Sequence, residues 1–206
     1  MNKGILTRTT FRTSRTLEFF SERELTMQLG VSRDFWARAI LKELLDNSLD
    51  ACEQTDRPPV ITVTEDERAH TLRVQDNGAG LPVDTLERSL DYTIRVSDKA
   101  YYVSPSRGQL GNALKCLWAL PYVLSGASQH GQVDVTTGGV RYEVRVRVDH
   151  IAQEPVLTLT PMPAPEVKSG TQVTIHWPQV VAIRCGPRTP LFTFRMPASW
   201  SSTMHS

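Results

Sequence analysis

The sequence predicts an α+β fold, a two-layer α/β sandwich in which a mostly antiparallel, mixed sheet carries its helices on one face. Three observations lead there. Strand-like segments cluster between residues 133 and 177 and do not alternate one-for-one with helices, which argues against a parallel βαβ arrangement. Gly138-Gly139 joins two runs of alternating apolar and polar residues, a strong hairpin signal. Residues 33–54 read as one long helix: Phe35, Ala39, Ile40, Leu44, Leu45, Leu49 and Cys52 recur at helical spacing, with neither Pro nor Gly in the run.

The elements follow in order. Residues 1–16 form a basic arm with Lys3, Arg8, Arg12 and Arg15 and no acid. Without a long amphipathic stretch, the arm reads as solvated or partner-binding and not as a transit peptide. Ser32 stands where the long helix needs an N-cap. Pro58-Pro59 closes that region, a strand begins at 60–64, and 71–75 pairs with it across the polar turn 65–70. Residues 76–82 make a glycine-rich turn, and a short helix covers about 83–90. The stretch 92–107 holds Pro105, has no steady period and reads as a loop; helix resumes over 109–124. Strands at 133–137 and 140–148 flank the glycine pair. In the second, Val140, Tyr142, Val144, Val146 and Val148 share one face, and Arg141, Glu143, Arg145 and Arg147 the other. Two more strands, 156–160 and 171–177, are separated by a Pro-rich loop. From residue 179 the pattern decays into prolines and serines without acids. The expected organisation is therefore a basic arm (1–16), one domain (17–178), and an irregular tail or the start of a following region (179–206).

Composition narrows the function. With 206 residues, 40% hydrophobic and 22% charged, the chain can bury a real core. No run approaches the ~18 apolar residues of a membrane helix; the best, 116–124, is broken by Pro121. Cys52, Cys116 and Cys185 are too scattered for a disulfide framework or a zinc cluster. The net charge of +1 hides an asymmetry: between Glu18 and Glu166, fifteen basic residues face all 22 acids, a net of −7. An acidic middle is a poor footprint for wrapping duplex DNA unaided. His70, His130, His150, His176 and His205 lack metal-ligand spacing. Cys52 and Cys116 read as buried packing thiols, and Trp36, Trp118 and Trp177 as core. The default location is the cytoplasm.

Three polar clusters stand out. Glu43, Asn47 and Asp50 lie at i, i+4 and i+7 on one helical stripe. A solvated face is the plain alternative, but mid-helix Asn is a weak helix former and needs a reason to be there. Asp76-Asn77-Gly78-Ala79-Gly80 follows a strand; besides making a turn, it lets a flat ligand approach the backbone and offers a carboxylate to an exocyclic amine. Ser106-Arg107-Gly108-Gln109-Leu110-Gly111-Asn112-Ala113-Leu114-Lys115 leads into a helix, an anion-site arrangement to which Lys115 adds a charge. It lacks the Gly-Lys-Ser/Thr ending of a Walker A loop and the βαβ setting of a Rossmann turn.

The ordered set resembles the GHKL family with its Bergerat fold: Glu43-x-x-x-Asn47, Asp76-x-Gly78-x-Gly80, a glycine-rich lid, then Gly170-Thr171. Within the family it is most similar to the B subunits of type IIB topoisomerases, through Leu17-Glu18-Phe19-Phe20, Asn47-Ser48-Leu49-Asp50-Ala51-Cys52 and Ser106-Arg107-Gly108-Gln109. The resemblance spans about residues 15–178. It implies ATP and Mg²⁺ as cofactors, Glu43 as the general base toward water, and Asn47 as the magnesium ligand. Asp76 then accepts from the adenine amino group, with Gly78 and Gly80 making room for the base and Thr171 behind it. Asp50 belongs to the nucleotide-binding set, and Gly108, Gln109, Leu110, Gly111, Asn112, Ala113, Leu114 and Lys115 form the lid. Ser97 and Lys99 are added from the preceding loop. Ala113 stands where family lids carry another glycine. The resemblance further implies a homodimer on ATP binding, an A-type topoisomerase subunit as partner, and DNA contacted indirectly, without strand cleavage by this chain. Hydrolysis is expected to be slow, since no segment resembles the transducer domain that donates a lysine in that branch. The alternative reading is a nucleotide-dependent switch or interaction module without topoisomerase activity.

Overall fold

The computed structural model describes residues 17–66, 68–92, 113–126, 130–177 and 191–195. In chain order these form α1 (Glu22–Leu29), a 3₁₀ turn (Arg33–Phe35), α2 (Trp36–Glu53), β1 (Val60–Asp66), β2 (Thr71–Gln75), α3 (Val83–Ser89), α4 (Ala113–Leu124), β3 (Gly131–Thr137), β4 (Val140–Asp149), β5 (Glu154–Pro163), β6 (Thr171–His176) and β7 (Leu191–Arg195). The seven strands make one sheet in the order β5-β4-β3-β6-β2-β1-β7. All six described pairings are antiparallel, so the mixed character expected from sequence is absent among them.

The helices pack on one face of this sheet, α2 against β1 and β2, and α4 against β3 and β4. Alternation places Val133, Val135, Val144, Val146, Ile175, Leu72 and Val74 on that face, against Leu25, Trp36, Ile40, Leu117, Trp118 and Leu120 from the helices, and all are buried. Each such aliphatic side chain contributes about 1.5–3 kcal/mol by leaving water. The opposite face carries Arg141, Glu143 and Arg145 from β4 beside Gln132 and Asp134 from β3. Cys52, Cys116, Trp36, Trp118 and Trp177 are buried, as their patterning indicated.

Several boundaries differ from the sequence reading. Ser32 makes no side-chain cap bond; it precedes the 3₁₀ turn, and α2 starts only at Trp36, whose indole Nε1 donates to the Val31 carbonyl at 3.2 Å. Helix α1, which the periodicity does not show, begins at Ser21, whose hydroxyl accepts from the Glu24 N–H, and ends at Gly30 in the left-handed region. The hairpin glycines Gly138 and Gly139 have φ +57° and +80°, the conformation a two-residue connection requires. Within the stretch expected to be irregular, Leu191–Arg195 forms β7 and extends the sheet beyond β1.

Candidate functional site

The site begins with α2. Its apolar residues face the sheet and leave Glu43, Asn47 and Asp50 half-buried along one stripe. The Glu43 side chain is 18% exposed, with Lys42 Nζ at 3.6 Å from its Oε1; Lys42 pairs more closely with Asp46, at 2.7 Å. Glu43 and Asn47 line a recess whose other walls are Ile40 and Leu44 of α2 and Leu114 and Leu117 of α4. The end of the segment expected to be the lid thus stands beside the helical carboxylate and amide. Burial pushes the Cys116 thiol up to about 12, and the negative charge of Glu43 adds to that rise.

Asp76 directly follows β2 and is 6% exposed. Its Oδ1 accepts from the backbone N–H groups of Gly78 at 2.9 Å and Thr171 at 3.1 Å. Its own N–H donates to the Thr171 carbonyl at 2.9 Å, so the strand end is tied to β6 in both directions. Burial raises the Asp76 carboxyl above its ordinary range, against the opposing hydrogen bonds from Gly78, Thr171 and the Ser48 hydroxyl.

The turn after Asp76 closes directly on α2. A Cβ at Gly78 would sit 2.5 Å from the carbonyl carbon of Ala51, so the missing side chain makes room for the helix backbone. The Ala79 N–H donates to the Ala51 carbonyl at 3.0 Å. Asn77 is a three-way staple: its Oδ1 accepts from the Val60 N–H at 2.8 Å and the Cys52 thiol at 3.4 Å, while its Nδ2 donates to the Pro58 carbonyl at 3.1 Å. Gly80 has φ +89° and faces the Thr137 hydroxyl, which accepts from the Leu81 N–H. Gly170, with φ +75°, passes so close to the Asp76 carbonyl that any side chain would collide with it.

The structure therefore sets Gly78 against the second half of α2, where Asn47 and Asp50 lie, ties Thr171 to Asp76, places Gly80 beside Thr137 and Gly170, and brings Leu114 to Glu43 and Asn47. Lys115 is placed differently. It is 3% exposed, its Nζ lies 5.8 Å from the centroid of the Tyr92 ring, and its carbonyl accepts from the Tyr92 hydroxyl at 2.8 Å. Phe19 and Phe20 pack on the same tyrosine, with centroids at 5.2 and 4.8 Å. Ala113 begins α4, while Ser97, Lys99, Gly108, Gln109, Leu110, Gly111 and Asn112 lie outside the described residues.

Sequence reasoning missed Ser48, Asn77 as a staple, and Tyr92. Ser48 carried a signal: it precedes Ala51 and Cys52 by three and four residues, on the stripe that meets the turn. Tyr92 carried none. Among the described residues no group of three or more His, Cys, Asp or Glu could hold a metal by itself, and no helix is long and apolar enough to cross a membrane. On the opposite sheet face, Asp134 accepts from Arg141 at 2.8 Å and pairs with His176 Nε2 at 2.9 Å. Burial lifts its carboxyl, but the bonds from His176 and Gln132 and the Arg141 charge outweigh that and hold it below the ordinary range.

Residues 34–181 match the family described as histidine kinase-, DNA gyrase B- and HSP90-like ATPase. The chain is similar to the B subunit of type 2 DNA topoisomerase 6 from Pyrococcus abyssi, at 27% identity over 84% of this chain and 31% of that protein. It is also similar to the corresponding protein from Thermococcus gammatolerans, at 29% over 70% and 26%. The chaperone protein HtpG of Nitrobacter winogradskyi is similar at 29% identity over 66% of this chain and 24% of its own length. The chain thus spans less than a third of each of these relatives.

Proposed function

The chain belongs to the histidine kinase-, DNA gyrase B- and HSP90-like ATPase family, the GHKL family, and on that premise we propose that residues 17–178 form one unit that binds Mg·ATP between α2, the Asp76 turn and the start of β6. The observation that carries this reading is the convergence on Asp76. Three segments far apart in sequence meet at one buried carboxylate, and that carboxylate sits against the helix that bears Asn47.

The residue roles follow from chemistry. An ionised Asp76 only accepts hydrogen bonds, so it takes the adenine 6-amino group and repels the guanine 6-carbonyl. The Thr171 hydroxyl backs the base, and Gly78 and Gly80 keep the turn flat beneath it. Glu43 is the general base: it takes a proton from the water whose oxygen bonds to the γ-phosphorus while the bond to the ADP oxygen breaks. The single amide oxygen of Asn47 fits a magnesium ion that keeps several waters and borrows phosphate oxygens, which suits a site without a carboxylate cluster among the described residues. When bound, that ion would neutralise phosphate charge. Asp50 extends the same polar stripe toward the nucleotide. Ser97, Lys99 and the segment from Gly108 through Lys115 cover the phosphates in this reading. Within that segment, Lys115 here lies buried with its Nζ over the Tyr92 ring, so a phosphate contact requires its ammonium to leave that position.

The similarity to topoisomerase B subunits supports placing this unit in a machine of that kind, in the cytoplasm, with ATP-driven homodimerisation, an A-type partner subunit, and DNA contacted through the partner. Mixing the protein with Mg²⁺ and a non-hydrolysable ATP analogue tests the central claim. At 100 times Kd, mass action stabilises by about 2.7 kcal/mol, a rise in Tm of roughly 5–10 °C for a chain of this size. No rise rejects the site. Steady-state turnover of wild type against Glu43→Ala then separates an ATPase, which loses its turnover, from a nucleotide switch with negligible rates in both.

A further inference from the structure

The first turn of α4 is held on two sides. Successive residues of a helix point about 100° apart, and Leu114 and Lys115 go separate ways. Leu114 stands against Glu43 and Asn47 of α2, while Lys115 is buried with its Nζ 5.8 Å from the centroid of the Tyr92 ring. The recess that Leu114 and Leu117 leave beside Glu43 and Asn47 has no room for a water molecule. A magnesium ion that keeps its waters can stand next to the Asn47 amide only once this turn has shifted.

Tyr92 opposes that shift. Its hydroxyl donates to the Lys115 carbonyl at 2.8 Å, and its ring faces the Lys115 ammonium within the range of a cation–π contact, which is strongest where water is excluded. Phe19 and Phe20 wall the tyrosine at 5.2 and 4.8 Å, and Phe20 also meets Tyr122 from farther along α4 at 6.1 Å. A lysine that turns toward phosphate leaves the ring, and a first turn that withdraws from Asn47 leaves the tyrosine hydroxyl. Both contacts therefore belong to the nucleotide-free arrangement. We infer that Tyr92, backed by Phe19 and Phe20, is a latch that holds the start of α4 against the Glu43–Asn47 recess, so that the segment Leu17–Phe20 governs how readily the site opens. This rests on the nucleotide-site reading above and adds to it a residue that works against binding.

The sign of the effect is the test. Removing a contact made only in the free protein tightens binding, because apparent affinity scales with the fraction of molecules already competent to bind. Affinities of wild type, Tyr92→Phe, Phe20→Leu and Ser89→Ala for Mg·ADP are measured by calorimetry, and association rates by stopped flow with a fluorescent ADP analogue. Tyr92→Phe loses one hydrogen bond and keeps the ring, so it should bind about 2- to 10-fold more tightly than wild type, with a faster association rate. Phe20→Leu loosens the wall behind the tyrosine and should shift both readouts in the same direction; it carries the comparison if Tyr92→Phe does not fold. Ser89→Ala is the control, since the Ser89 hydroxyl accepts from Trp118 Nε1 at 3.0 Å and so anchors α4 beyond its first turn; its affinity should not rise. Unchanged or weaker binding by Tyr92→Phe overturns the inference, because a merely structural tyrosine gives that result. An equal gain in Ser89→Ala also overturns it, since any loosening of α4 would then suffice. Wild type that does not bind Mg·ADP overturns the site reading itself, and the inference with it.

Discussion

Gly78→Ala is the sharpest perturbation of the site that leaves its chemistry untouched. Gly78 does not need a left-handed backbone, so the substitution is purely steric. The new methyl carbon would stand 2.5 Å from the Ala51 carbonyl carbon and 2.7 Å from both the Ala51 oxygen and the Cys52 nitrogen, all of them helix backbone that cannot rotate aside. The turn must retreat from α2. Overpacking against rigid structure costs about 1–3 kcal/mol, and loss of the bond from the Ala79 N–H to Ala51 adds roughly 1. The total of about 2–4 kcal/mol lowers Tm by roughly 4–16 °C in a domain of this size. Gly30→Ala is the control. Gly30 has φ +70° but nothing within 4 Å of a Cβ, so only the conformational cost of about 1–2 kcal/mol applies. Denaturant unfolding and calorimetry with Mg·ADP measure both effects: Gly78→Ala should lose stability and nucleotide affinity together, Gly30→Ala a little stability alone. Gly78→Ala with wild-type stability and affinity would falsify the claim that this glycine exists for helix contact.

Other expectations follow from the same geometry. Asp76→Asn should weaken Mg·ADP binding by roughly tenfold or more without lowering the Tm of the free protein at pH 7. The folded carboxyl is raised by burial, so its contribution to stability is present in acid and lost as pH rises, and the amide removes that loss; a lower Tm would contradict this. Asp134→Asn works in the opposite sense. Its folded carboxyl is depressed, so its contribution is present above the unfolded range and lost as pH falls through the folded range. Its partners Arg141 and His176 are 40% and 36% exposed, so screening limits the loss to between about 1 and 3 kcal/mol at pH 7, read from urea midpoints and shrinking in acid. Cys116 should resist alkylation at pH 8 in the folded protein and react on unfolding, since burial holds its thiol up at about 12; mass spectrometry of iodoacetamide-treated protein checks this.

Much of the fold was legible because its signals are local. The period of α2, the alternation in β4 and the glycine pair at 138–139 each depend on a few consecutive residues, and each element appears where its pattern lies. The capping signature Ser21-x-x-Glu24 and the stop at Gly30 also announce α1, but eight residues hold too little period to stand out. β7 had no such announcement. Five residues, Leu191–Arg195, become a strand only because β1, more than a hundred residues earlier, offers an open edge.

In the site, sequence alone determined which chemistry was available: the helical carboxylate and amide, the Asp76 turn and the glycine-rich approach to α4. Tertiary structure alone decided what each group meets. It filled the space beside Gly78 with helix backbone, made Asn77 a staple, turned Lys115 inward over Tyr92, and set Thr171 on Asp76 from a distant strand. The physical reason is range. Periodicity and turn stereochemistry are settled within a few residues, whereas the bond from Thr171 to Asp76 joins positions 95 residues apart and exists only once β6 has paired with β2.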